Sequence, residues 1–199
     1  MAKSRGLGDV YKRQLQGKHL HIFGVPEFGA IEAASSMTFS DSTPVAMMLD
    51  GDQLVVISTM YPWAIGNNHP VADAMGWDNE YNMWRSNSLT KFTVVDITNR
   101  SQPEVDRELF IEGSYITARE VNGTVRTITH ASMNVPGVGS WLDLPTGYWN
   151  LEYDDPLRLE IREKLGYQRM QSNSEALEML TLEDLIPQVY EYSNGDVTL

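Results

Sequence analysis

The sequence predicts a mainly β chain built from a repeated strand module, with a helical insertion toward its C-terminus. Three observations carry this. Ser88 to His130 parses into four strands joined by turns, a similar pattern stands 72 positions earlier, and after His130 the strand signature gives way to helix caps.

The four-strand stretch is the clearest. Thr90 to Ile97 is a β-branched run with Phe92, Val94 and Asp96 on one face and Thr93, Val95 and Ile97 on the other. Asn99 to Pro103 breaks it with turn formers, and Pro103 cannot donate a ladder hydrogen bond. Val105 to Ile111 is more polar and reads as a sheet edge. Tyr115 to Glu120 and Thr124 to Thr129 flank Asn122-Gly123, a dipeptide suited to positive φ and so to a type I′ hairpin.

In the earlier copy, Leu20, Ile22, Phe23 and Val25 align with Phe92, Val94, Val95 and Ile97 without a gap. Ser42 meets Ser114, Ala46 meets Ala118, and Asp50-Gly51 meets Asn122-Gly123. A long period made of strands points to units that need neighbours to cover their faces.

Taken in order, residues 1 to 14 (MAKSRGLGDVYKRQ) are basic and lack the apolar core of a secretory signal. GLGDVYKRQ resembles the translated adapter tail found at the ends of reading frames from metagenomic assemblies, so this segment is expected to stand outside the fold. Lys18 to Val25 is a strand, Pro26 to Gly29 a turn, and Ile31 to Phe39 a weak edge strand. Val45 to Leu49 and Gln53 to Thr59 form a hairpin around Leu54 to Ile57. Residues 60 to 88 are a long loop insertion rich in aromatics, the kind of excursion that is often functional. Asp155-Pro156 reads as an N-cap followed by proline at the first helical position, opening a short helix, Leu157 to Leu165, that ends at Gly166. Ser174 is expected to cap a second helix, and Thr181 to Asp184 a third turn before Pro187. Gly195 to Leu199 breaks off where a new strand begins.

The order of these strands carries a resemblance. A hairpin, a strand ending in VVDIT, SQPEV with an outer strand, and G-S-Y before the next hairpin resemble a β-propeller blade. SLTKFTVVDITNRSQPEVDRELFIEGSYITARE is similar to bacterial secreted proteins with a C-terminal β-propeller domain distantly related to WD40 repeats. LEDLIPQV resembles the helical insertion these proteins carry. The resemblance implies a partial propeller: one full blade, Val45 to Ile111, with the outer half of the preceding blade and the inner half of the next. On this reading 15–131 are partial blades, 132–199 are a loop and helix insertion within the next blade, and the missing blades of a longer chain are natural partners. It also implies an extracellular or cell-envelope location, and it supplies no catalytic residues.

Composition narrows the function. With 199 residues, 42% of them hydrophobic, the chain can build a sizeable core. A formal charge of −12 argues against nucleic acid and anionic membrane surfaces as partners. No apolar run approaches the roughly 20 residues of a membrane span. Cysteine is absent, which removes disulfides and thiolate metal sites.

Candidate chemistry is sparse. His19 and His21 share a strand face and could hold a metal, but spacing supplies no third ligand and packing explains them better. Asp50 with Asp52, and Glu152 with Asp154 and Asp155, are carboxylate clusters of the kind that hydrolyse glycosides or bind calcium. The first brackets a turn glycine and the second opens a helix, so structure accounts for both. No hydrolase or nucleotide motif occurs, and no cofactor or catalytic residue is expected. The functional signal is the loop holding Tyr61, Trp63, Trp77, Tyr81 and Trp84 with Asn67, Asn68, Asp78 and Asn79. Flat rings beside amides and carboxylates suit sugar rings or a protein partner, whereas the bland alternative is a loop with its own small core. The expectation is a non-catalytic binding scaffold. The alternatives are a glycan-binding propeller using residues 61–84 and a fragment of a propeller hydrolase.

Overall fold

The computed structural model describes residues 11–26, 30–66, 69–76, 85–132 and 134–199. The chain divides into two units, one made of residues 1–76, 86–132 and 187–199, the other of 77–85 and 133–186.

The first unit holds all the strands among the described residues. Tyr11–Gln16 (β1), His19–Gly24 (β2) and Glu32–Thr38 (β3) form a three-stranded antiparallel sheet with β2 in the middle. Thr43–Asp50 (β4), Gln53–Met60 (β5), Leu89–Asp96 (β6) and Glu104–Glu112 (β7) form an up-and-down antiparallel sheet. Ser114–Val121 (β8) and Thr124–His130 (β9) pair as a hairpin. A last hairpin, Val189–Ser193 (β10) with Asp196–Thr198 (β11), adds to the free edge of β7, giving the order β11-β10-β7-β6-β5-β4. A short helix, Pro70–Met75 (α1), packs against β10 and β11.

The central strand β6 reads LTKFTVVD and is buried at every position but its last, as expected for a β-branched run with a neighbour on each edge. Its two faces meet different neighbours. Val95 and Ile97, with Leu54 and Val56, join Leu20, Ile22 and Phe39 in a core against the β1–β3 sheet. Each such side chain contributes about 1.5–3 kcal/mol on burial. Phe92 and Val94 face the other way, onto a groove that Val125 and Thr127 of the β8–β9 hairpin help to line.

The internal repeat is visible as matched irregularities. In the first sheet Ile22 pairs with Ser35 and Phe23 with Ala33, so Ala34 is a bulge; in the second Val94 pairs with Arg107 and Val95 with Val105, so Asp106 is a bulge 72 positions later. Ile22 and Val94 occupy the same place, mid-strand between two antiparallel neighbours. The hairpins repeat with a different offset. Val45 bulges out of β4 and Ile116 out of β8, 71 positions apart. Asp50 pairs with Gln53, so that loop is Gly51-Asp52, with Gly51 at φ 58°, whereas Asn122 (φ 54°) and Gly123 (φ 74°) form the expected loop of the other. The alignment of Asp50-Gly51 with Asn122-Gly123 is therefore corrected by one residue. The strand pairing fixes which two residues face the turn, and dipeptide likeness alone does not.

Gly113 joins β7 to β8. Its φ is 114°, and a Cβ there would meet the His130 carbonyl oxygen at 2.9 Å. Its N–H donates to the Ser88 carbonyl at 2.8 Å, and its own carbonyl accepts from the Thr90 hydroxyl at 2.9 Å.

Four further expectations change. Val105 to Ile111, read as a sheet edge, lies between β6 and β10, because the C-terminal hairpin covers it. Tyr11 to Gln14, assigned to a tail outside the fold, are strand: Arg13 pairs with Ile22 and Tyr11 with Gly24, and Tyr11 and Leu15 pack on the core. Residues 189–198, within the stretch read as helical insertion, are a hairpin on β7 whose Asn194-Gly195 turn has φ of 54° and 91°. The expected helix of Leu157 to Leu165 instead runs Pro156–Met179 (α2), straight through Gly166 and Ser174.

In the second unit, Asp155 caps α2 as expected, accepting from the Leu157 N–H at 2.9 Å. Gly166 keeps a helical φ at a cost of about 1 kcal/mol relative to alanine. Contacts along the helix offset that. The Asn173 amide both donates to and accepts from the Gly139 backbone at 2.9 and 3.0 Å, and Arg169 holds the Trp141 carbonyl and the Asp143 carboxylate, each at 3.0 Å. Leu182–Leu185 (α3) carries the expected capping box, with the Thr181 N–H and hydroxyl donating to Asp184 at 2.8 and 2.7 Å. No helix among the described residues is long and apolar enough to cross a membrane.

Candidate functional site

The turn entering β4, the end of β5, the approach to β6 and the start of β8 come together at one end of the main sheet. They enclose a cleft of about 470 Å³. Topology alone does this: an antiparallel meander returns the chain to the same end every second strand. Tyr61 and Trp63 stand at its rim, on the extended residue and 3₁₀ turn that follow β5. Their rings are parallel, with centroids 5.5 Å apart and planes 7° apart. Trp63 remains 72% exposed, which leaves a flat apolar face open to solvent.

The rest of the lining is mixed: Ser40, Asp41, Ser42 and Thr43 come from the entry to β4, and Ser88 and Ser114 from the approach to β6 and the start of β8, beside Met60, Ala64 and Leu89. The Ser88 and Ser114 hydroxyls are 2.8 Å apart and hydrogen-bonded. Asp41 is the lining carboxylate. Its Oδ1 accepts from Ser42 at 3.0 Å and its Oδ2 from the Lys91 ammonium at 2.6 Å. Lys91 is only 4% exposed, sits between Asp41 and Glu108 (2.7 Å), and lies 5.3 Å from the Phe110 ring centroid. Burial would raise the Asp41 pKa, but the Lys91 hydrogen bond and charge, the Ser42 hydroxyl and its own backbone outweigh that and hold it below the ordinary 3.8. Asp41 therefore stays ionised at neutral pH.

Of the five aromatic candidates, Tyr61 and Trp63 are brought together here. Trp77, Tyr81 and Trp84, with Asn67, Asn68, Asp78 and Asn79, lie outside the described residues. The remaining candidates serve the fold. His19 and His21 stack at 5.9 Å, with Phe23 next in line and the Thr38 hydroxyl 3.0 Å from His19. Among the described residues no group of three His, Cys, Asp or Glu could hold a metal. Asp52 pairs with Arg100 at 2.7 Å, and Asp155 is the α2 cap. His69 caps α1, and its ring lies tilted against that of Tyr192 with centroids 4.6 Å apart.

Sequence reasoning missed Asp41, Lys91 and the serines. A signal existed for three of them. Ser42 and Ser114 already aligned in the repeat, and Lys91 is a charge in the interior of the central strand, well ahead of its terminal Asp96, which implies a buried partner.

The matched sheets, each packing a face on the next, are the geometry of propeller blades. The family model for the β-propeller domain matches residues 9–198, nearly the whole chain. The chain belongs to this β-propeller family. The match begins ahead of β1, in line with the pairing of β1 into the first sheet. No curated protein and no solved structure matches the propeller chain.

Proposed function

We propose that this propeller is a non-catalytic binding scaffold, secreted to the cell envelope or beyond in a bacterium, that holds its ligand in the cleft beneath Tyr61 and Trp63. The observation that supports binding is the cleft itself: a parallel aromatic pair left open to solvent beside hydroxyls and one ionised carboxylate. A site of this size and mixed lining falls within the range of small-ligand pockets. The location outside the cytoplasm and the distant kinship to WD40 repeats rest on the resemblance of residues 88–130.

A glycan is favoured over a peptide as ligand by the Tyr61–Trp63 pair. The stacked Tyr61 ring supports Trp63, whose exposed flat face suits the C–H face of a sugar, while the serines and Asp41 of the same cleft match its hydroxyls. Titrating oligosaccharides against intrinsic fluorescence tests this. Wild type should show a saturable shift, and Trp63→Ala should weaken binding about tenfold or more, the loss of about 1.4 kcal/mol of ring contact. Undiminished binding by Trp63→Ala would place the ligand elsewhere.

A further inference from the structure

The charges around the cleft narrow the ligand class. Asp41 faces the cleft as an ionised carboxylate with its side chain 32% exposed. Each of its oxygens already accepts one hydrogen bond, from Ser42 and from Lys91, and keeps a lone pair for another donor. Lys91 offers no free positive charge to a ligand, because Asp41 and Glu108 flank it at 2.6 and 2.7 Å and leave the buried trio with a net negative charge. Lys18 is the cation among the lining residues, and it directs a hydrogen bond at the Ser40 carbonyl at 2.8 Å. Among the described residues no arginine lines the cleft, and the whole chain carries −12. Such a surface lowers the local concentration of anions and leaves that of neutral solutes unchanged.

We propose that the cleft takes a neutral polyhydroxylated ring, a glycan residue whose C–H face lies on Trp63 and whose hydroxyls donate to Asp41, and that it discriminates against uronic and other acidic saccharides. This rests on the glycan reading above. Asp41 acts here as a binding and specificity residue, because a carboxylate accepts from hydroxyl donors and repels a second carboxylate.

The test is calorimetric titration of the full chain with neutral hexasaccharides of glucose, galactose, mannose or N-acetylglucosamine, and with hexagalacturonate, at one ionic strength. At least one neutral probe should bind, and hexagalacturonate should bind at least tenfold more weakly than it. Asp41→Asn should weaken the neutral probe several-fold and narrow the gap to the acidic one. Raising the salt on unmodified protein should selectively improve hexagalacturonate binding, since screening relieves repulsion between charges. That measurement stands even if Asp41→Asn does not fold. Hexagalacturonate binding as tightly as the neutral probes overturns the proposed specificity while leaving the glycan reading in place. Failure of every saccharide to bind overturns the glycan reading and this inference with it.

Discussion

Lys91→Ala is expected to destabilise the propeller by about 2–3 kcal/mol, because it leaves two partly buried carboxylates without the ammonium between them. Lys91 is 4% exposed, with Asp41 at 2.6 Å and Glu108 at 2.7 Å. Asp41 comes from the turn before β4 and Glu108 from β7, so the ammonium ties the first and last strands of the four-stranded meander across β6. The loss should therefore be largely recovered in Lys91→Met combined with Asp41→Asn and Glu108→Gln, since an uncharged trio has no stranded ion. Chemical denaturation of the single and triple variants measures both values. A single variant within about 0.5 kcal/mol of wild type would show that the trio is solvated, as exposed pairs are.

Tyr190→Ala is expected to cost about 3–5 kcal/mol, the range for removing a fully buried aromatic. Tyr190 is 1% exposed and stands in register with Phe110 of β7. Its neighbourhood fastens the C-terminal hairpin to the sheet. The wholly buried Glu112 carboxylate accepts from the Gln188 N–H at 2.9 Å, and the Glu112 N–H donates back to the Gln188 carbonyl at 3.1 Å. Tyr190→Phe should cost far less, because the hydroxyl reaches Glu112 only at 3.5 Å, the outer limit of a hydrogen bond. Equal losses in the two variants, read by thermal or denaturant unfolding, would mean that the hydroxyl and not ring packing holds β10.

How much of this was legible in the sequence follows from the range of the forces involved. The strands of residues 18–59 and 88–130 announce themselves through β-branched runs and turn dipeptides, which are local. The offset between Gly51 and Asn122 was not legible, because bulges at Val45 and Ile116 are set by pairing across strands. The likeness of residues 6–14 to an adapter tail masks β1, yet Tyr11, Arg13 and Leu15 alternate with exposed positions in the period of a half-buried strand. β10 and β11 carried the same signal as β8 and β9, an Asn-Gly pair between alternating residues, and helical surroundings obscured it. α2 outran its expected stop because Gly166 ends a helix only by turning left-handed, and the straps from Asn173 and Arg169 to residues 139–143 favour continuation. At the site, Tyr61 and Trp63 could be named from composition. Asp41 and Ser88 could not, since they meet the other lining residues only after the meander has folded.

The central claim is that folding brings five separate segments together and makes a binding cleft of them. Amide chemical-shift mapping during titration with a neutral oligosaccharide tests it most directly. The account predicts perturbations confined to residues 18, 40–43, 59–64, 88–89 and 114, moving together with one affinity. Perturbations centred on the Asn122-Gly123 turn or on α2, with the cleft silent, would contradict it.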